Sequence, residues 1–130
     1  MEMVVVVNEQ DEVIESKSRS DLVYPDDIYR ASCLWLTNSA GEFLLTQRSF
    51  DKDKDPGVWD LAVSGTVRDG ESYQECMVRE AREELGLTDL LLKFGPKMFV
   101  EHSRRLYIQF FYSTCDVEID QLILQEGEVV

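Results

Sequence analysis

Short apolar runs alternate with polar turns along most of this chain, and one stretch in the middle carries helical periodicity instead. "VVVVNEQDEVIES" predicts two short strands around a polar turn, Asn8 to Asp11. "SKSRSDLVYPDD" is polar and predicts a loop. In "RASCLWLTNSAGEFLLTQRS" the runs Ala31–Leu36 and Glu42–Arg48 predict a hairpin that turns at Asn38-Ser39-Ala40-Gly41. "DKDKDPG", residues 51–57, predicts an exposed loop, and "VWDLAVSGTV" predicts a buried strand that meets Gly65. "LLLKFGPKMFV" and "RRLYIQFFYSTC" predict further strands, followed by "QLILQ".

The helical stretch runs from about Ser72 to Leu85. Met77, Ala81 and Leu85 follow one another at spacing four with Val78 beside them, which draws an apolar stripe along one flank. Ser72 with Glu75 three residues on is a capping box, and Gly86 predicts the C-terminal stop. Strands, one central helix and strands again predict an α+β fold with a mixed sheet. No second long helix is evident to cover the other sheet face. Two readings stand open: a partner chain covers it, with a homodimer the expected assembly, or a C-terminal piece lies outside this stretch of sequence.

Length and charge narrow the class. The 130 residues suit one domain, 1–130, and 44% hydrophobic with 30% charged residues fits a soluble globular protein. A net charge of -13 repels nucleic acid and anionic membrane, so neither is an expected partner. Phosphate compounds could still bind if cations mediate the contact. No apolar run approaches the roughly 20 residues that span a bilayer. "MEMVVVV" has no basic leader and reads as a strand rather than a signal peptide. Cys33, Cys76 and Cys115 are scattered with no CxxC pair, which points to a reducing cytoplasm rather than a disulfide framework or zinc ribbon. His102 is the only histidine, which excludes a His-rich metal site.

The candidate chemistry lies on the helix. With Glu80 as origin, Glu83 falls at roughly -60° and Glu84 at roughly +40°, so three carboxylates share one narrow face. Like charges one turn apart repel. A solvated acidic face is the ordinary explanation for such a cluster; a divalent cation is the other. Magnesium takes carboxylate oxygens and keeps waters, so it can also hold a phosphate.

Gly65 to Leu87 decides between them. These residues match G-x5-E-x7-R-E-U-x-E-E-x-G-U, with U apolar, at Gly65, Glu71, Arg79, Glu80, Glu83, Glu84 and Gly86, and Ala81 and Leu87 fill the apolar slots. Seven fixed identities at set spacings arise by chance on the order of once in 10⁸ starting positions. The chain therefore resembles the Nudix hydrolases. The resemblance implies a Nudix-type α/β/α sandwich with a mixed β-sheet, here without a visible C-terminal helix. It further implies magnesium or manganese held under a diphosphate, with a small-molecule nucleoside diphosphate derivative or similar diphosphate as substrate. Glu80, Glu83 and Glu84 match the family's metal ligands, with the carbonyl of Ser64 a further one. Arg79 and Glu71 match residues that hold the carboxylates in place. The base that takes the water's proton is open among Glu80, Glu101, Glu126 and Glu128.

A second resemblance covers roughly residues 4–87. "VVNEQDEVIESKSRSD", "YRASCLWLTNSAGEFLLTQRSFDKDKDPGVWD" and the motif together resemble the isopentenyl-diphosphate isomerase-like branch, which contains isomerases and plain hydrolases. The isomerases use a cysteine and a metal held largely by histidines. Here Ser64 stands in place of that cysteine, Thr66 in place of a histidine, and Tyr29 where a His-Arg pair usually begins. The resemblance thus implies a hydrolase. A non-catalytic module binding a nucleotide or a protein is the alternative of a different class.

Other residues carry weaker signals. Arg48, Phe50 and Arg104 are candidates for substrate contact, Arg104 with Arg105 and His102 forming a small basic cluster in an acidic chain. Trp35 and Trp59 lie in strands, where core packing is the commoner role than stacking on a base. Cys76 reads as a space filler rather than a nucleophile.

Overall fold

The computed structural model describes residues 2–43, 45–47, 59–61 and 63–115. In chain order the elements are β1 (Met3–Val7), β2 (Val13–Ser18), a single 3₁₀ turn (Arg19–Asp21) and β3 (Ile28–Thr37). β4 (Leu45–Gln47), β5 (Trp59–Leu61), β6 (Val63–Thr66), α1 (Tyr73–Leu85), β7 (Lys93–Glu101) and β8 (Arg105–Thr114) follow. The sheet is mixed and α1 packs on one of its faces, as the pattern of strands around one helix predicts.

β3 is the spine. On one edge it pairs in parallel with β8 along its whole length, from Ile28 opposite Arg105 to Thr37 opposite Thr114, and β7 follows antiparallel to β8. Two strands share the other edge. β1 takes the start, Val6 opposite Tyr29 and Val7 opposite Ile28, and β6 takes the middle, Thr66 opposite Ala31 to Val63 opposite Leu34. β2 lies outside β1.

Two asparagines make the tight turns in the same way. The side-chain oxygen of Asn8 accepts from the N–H groups of Gln10 and Glu12, and that of Asn38 accepts from those of Ala40 and Glu42. This replaces the backbone partner that each reversal would otherwise lack.

The hairpin expected after β3 does not continue. Thr37 and Phe43 form one isolated bridge, and β4 then pairs with β5 in a separate two-stranded sheet. The predicted run "VWDLAVSGTV" is likewise divided, β5 belonging to the small sheet and β6 to the large one. Strand propensity marks extended residues but not their partners, so both runs were legible and their pairing was not.

Successive strand residues face opposite sides of a sheet. Leu34, Leu36, Val63 and Phe111 face α1 and form the main core with Met77, Ala81, Leu85 and Leu87. On a wheel centred on Glu80, the buried helix positions run from Cys76 at roughly -40°, through Glu80 itself and Met77, to Leu85 at roughly 140°. Val78, at roughly 160°, is 49% exposed and leaves the stripe assigned to it. Glu80, at the origin of the wheel, thus sits inside the buried arc.

Candidate active site

The site begins at a missing side chain. Gly65 lies on β6 opposite Ser32, on the face toward α1. A β-carbon there would stand 2.3 Å from Glu80 Cδ and 2.5 Å from Glu80 Oε1. The glycine is needed for space, and the space it leaves is a cradle for the Glu80 carboxylate.

Local capping fixes the helix that carries this carboxylate. The Ser72 hydroxyl accepts from the Glu75 N–H at 3.1 Å, and the Glu75 carboxylate accepts from the Ser72 N–H at 2.9 Å. Gly86 closes the other end at φ 71°, a left-handed conformation in which glycine carries no steric penalty. Ser32, fully buried, donates from its hydroxyl to the Tyr73 carbonyl at 2.8 Å and ties the first turn to β3.

Arg79 organises the acidic groups. Nε donates to Glu71 Oε2 at 2.6 Å, and Nη2 donates to Glu71 Oε1 at 3.0 Å and to the Thr66 carbonyl at 3.3 Å. Nη1 donates to Glu80 Oε1 at 2.6 Å and to Glu83 Oε2 at 3.2 Å. A guanidinium has five N–H donors, and these bonds use all five. The Arg68 N–H holds Glu71 from its other side at 2.9 Å. Burial pushes the Glu71 carboxyl up, but the Arg79 and Arg68 hydrogen bonds outweigh it and hold it below its ordinary value. Burial acts to lower the Arg79 value, and bonds to Glu71 and Glu80 outweigh it, so Arg79 is held still more firmly in its charged form.

The structure thus brings Arg79, Glu71, Glu80 and Glu83 together. Glu84 lies half-buried on the same helix, and Ser64 directly precedes Gly65 on β6. Among the described residues, no three carboxylate, thiol or imidazole groups converge as a ready-made metal cage. Glu80 and Glu83 each give an oxygen to Arg79, which draws them toward one guanidinium. The donor set nevertheless suits a hard divalent cation, since carboxylate oxygens are what magnesium and manganese take.

Other expected residues land elsewhere. The Arg104 guanidinium stacks 4.4 Å above the Tyr24 ring, at the sheet end where β8 begins, and no described contact joins it to the glutamates. Arg105 donates to the carbonyls of Pro25 and Asp26, each at 2.8 Å. Glu101 ends β7, separated from β6 by β8 and β3. Trp35 makes edge contacts with Phe43 and Tyr112 and lines with them a cleft of about 500 Å³. Cys76 is fully buried, and its thiol, pushed up by burial to about 12, fills space. Arg48, Phe50, Glu126 and Glu128 lie outside the described residues, as do the loop 51–57 and "QLILQ".

Two features were missed by reading the sequence. Arg68, in one of the motif's open positions, pairs with Glu2 at 2.9 Å. Asp11 gathers Arg30 and Lys97, both at 2.7 Å, and accepts from the Tyr73 hydroxyl at 2.9 Å, anchoring the helix start to the β1–β2 turn. The partners are 66 and 62 residues apart, beyond any local spacing rule.

The NUDIX domain model matches residues 28–130. This chain belongs to the Nudix family. It is 37% identical over 119 residues to an uncharacterized Nudix hydrolase of Pseudomonas aeruginosa, which covers 91% of this chain and 70% of that protein. An uncharacterized Nudix hydrolase of Listeria innocua is 32% identical, with 85% of this chain and 65% of the relative covered. An isopentenyl-diphosphate Delta-isomerase of Klebsiella pneumoniae is 36% identical over 89 residues, 66% of this chain and 47% of the isomerase. The chain therefore spans about two thirds of these Nudix hydrolases and about half of the isomerase. Among solved structures, DR0079 from Deinococcus radiodurans superposes with a TM-score of 0.85 at 27% identity, covering 99% of this chain and 80% of that one. The Nudix fold is thus present, and Gly65, Glu71, Arg79, Glu80, Glu83 and Glu84 occupy the motif's places within it. No helix among the described residues is long and apolar enough to cross a membrane.

Proposed function

We propose that this chain is a metal-dependent hydrolase that cleaves the diphosphate linkage of a nucleoside diphosphate derivative or a similar small diphosphate. The observation that carries the proposal is the Glu80 carboxylate, seated against Gly65 and clamped by an arginine whose every donor is engaged. A solvated acidic face has no need to bury a glutamate in a glycine-lined cradle.

Glu80, Glu83 and Glu84, with the Ser64 carbonyl, are the groups that would hold magnesium or manganese. When bound, such an ion neutralises the diphosphate and lowers the pKa of a water. The chain's own contribution is positional. Glu71, held by the Arg68 N–H before the helix begins, orients Arg79, Arg79 orients Glu80 and Glu83, and the capped helix carries these three beside β6. Water adds to one phosphorus, the bridging P–O bond breaks, and two phosphate-bearing products leave. Among the described candidates for the base, Glu80 fits better than Glu101. From β7 to β6 there are three inter-strand steps, roughly 14 Å.

Isomerisation is disfavoured by the residues in hand: Ser64 and Thr66 sit on β6 where a cysteine and a histidine would be required. Arg48 and Phe50 remain proposed substrate contacts, as does Arg104 on condition that it leaves its stacking on Tyr24; a cytoplasmic location remains a proposal from the cysteine pattern, and a homodimer one from the sheet face that no second predicted helix covers. The test is product release from a panel of diphosphates with magnesium, wild type against Glu84→Gln. The expected outcome is turnover by the wild type and a loss of at least 100-fold in the variant, the scale on which electrostatic groups act. Equal rates would sink the assignment, and tight manganese binding without turnover of any substrate would favour a binding module.

A further inference from the structure

Arg79 has no N–H left to offer a substrate, because its five donors meet Glu71, Glu80, Glu83 and the Thr66 carbonyl. Its side chain is 11% exposed. In a chain of net charge -13, a diphosphate still needs a cation beside the glutamates.

Arg68 is placed to be that cation. Its backbone N–H is fixed on Glu71, and Val4 bridges to it from β1. Its Nε donates to Glu2 Oε1 at 2.9 Å, which sets the bearing of the guanidinium. Within the described residues the other four N–H groups donate no hydrogen bond. Nη1 stands 3.9 Å from Glu83 Oε1, an attraction too long for a hydrogen bond. The side chain is 39% exposed.

Other cations among the described residues are occupied or lie elsewhere, and Arg48 lies outside the described residues. Arg30 and Lys97 are committed to Asp11. Arg82 lies roughly 160° around the helix from Glu80. Arg104 is stacked on Tyr24.

We propose that Arg68 binds a phosphate group of the substrate, held in aim by Glu2. The proposal rests on the hydrolase reading above and names a phosphate contact for it. The planar guanidinium can offer two parallel N–H groups to phosphate oxygens, whereas Glu83 now offers it one distant oxygen. A phosphate at Arg68 therefore exchanges a weak contact for a strong one and releases Glu83 Oε1 from that attraction. The Glu2–Arg68 pair is not part of the motif, so it tunes which phosphates are held without altering the glutamates.

The experiment is calorimetric titration of the full chain with methylenediphosphonate, which cannot be hydrolysed at its bridge, in magnesium, alongside titration with magnesium alone. Arg68→Gln is expected to weaken diphosphonate binding at least ten-fold and leave magnesium affinity unchanged or improved. Arg68→Lys should recover part of the loss, since one charge returns without the fork. Glu2→Gln, which keeps Arg68 but loosens its anchor, should weaken binding a few-fold. Equal diphosphonate affinity in wild type and Arg68→Gln overturns the inference and leaves the hydrolase reading intact, which Glu84→Gln decides separately. Parallel loss of diphosphonate and magnesium binding with no recovery in Arg68→Lys means general damage and also overturns it. A wild type that does not bind the diphosphonate overturns it as well.

Discussion

Gly65 and Glu80 are packed so closely that a β-carbon on residue 65 would stand 2.3 Å from the Glu80 carboxyl carbon. The first residue of the motif is therefore a void shaped for the fifteenth residue after it. Gly65→Ala fills that void. The clashing atoms are the end of a flexible side chain, so the carboxylate moves before the helix does. The expected cost in stability is about 1 kcal/mol, the low end for overpacking. Diphosphate hydrolysis should fall at least ten-fold. Urea unfolding and turnover measured on one preparation check this; intact turnover with a large stability loss would contradict it.

Arg79 and Glu71 form a pair with side chains 11% and 18% exposed. Removing one partner of a buried pair leaves the other charge without compensation. Arg79→Gln strips the donors from Glu71, Glu80 and Glu83 together and should destabilise the fold by about 3 kcal/mol. Glu71→Gln leaves Arg79 its bonds to Glu80, Glu83 and Thr66, so its effect should be smaller. Urea midpoints of the two variants test the order, and a reversed order would show that the arginine's partners are not what hold it.

Acid should loosen this protein through Asp11 and Glu71. Burial raises each carboxyl, but hydrogen bonds from Lys97, Arg30 and Tyr73 on Asp11, and from Arg79 and Arg68 on Glu71, hold both below their ordinary 3.8 and 4.5. The unfolded chain then takes up protons before the folded one does. Stability from these groups is complete above their ordinary values and is lost as pH falls through them toward the folded values. Acid also reduces the overall charge of -13, which eases self-repulsion of the compact chain as a whole. The informative measurement is thus a difference: melting temperature from pH 6 to pH 3 for wild type and Asp11→Asn. Asp11→Asn should lower the melting temperature at pH 6, and the gap should narrow as pH falls. A gap independent of pH would refute the role of the charge.

Much of the site was legible because its rules act over a few residues. Ser72 and Glu75 cap each other across one turn, Gly86 stops the helix by its backbone freedom, and Glu80, Glu83 and Glu84 share a face through helical pitch alone. The motif spacing added Arg79, Glu71 and Gly65 with their partners in the family pattern. What spacing did not reveal was the mode of contact: that Gly65 serves by absence, or that Arg79 is saturated.

The sequence by itself determined most of what is extended among the described residues, where β1 and β3 end in asparagine turns, where α1 starts and stops, and which family the chain belongs to. These follow from dihedral preferences and from hydrogen bonds made within a few residues. Only the tertiary structure decided that β4 leaves β3 for β5, and that β1 and β6 share one edge of the spine. It also buried Glu80, exposed Val78, and brought Glu2 to Arg68 and Asp11 to Tyr73. Those outcomes depend on which surfaces exclude water together and which charges meet across the fold. Such free energies belong to pairs distant in sequence, so no local stretch contains them.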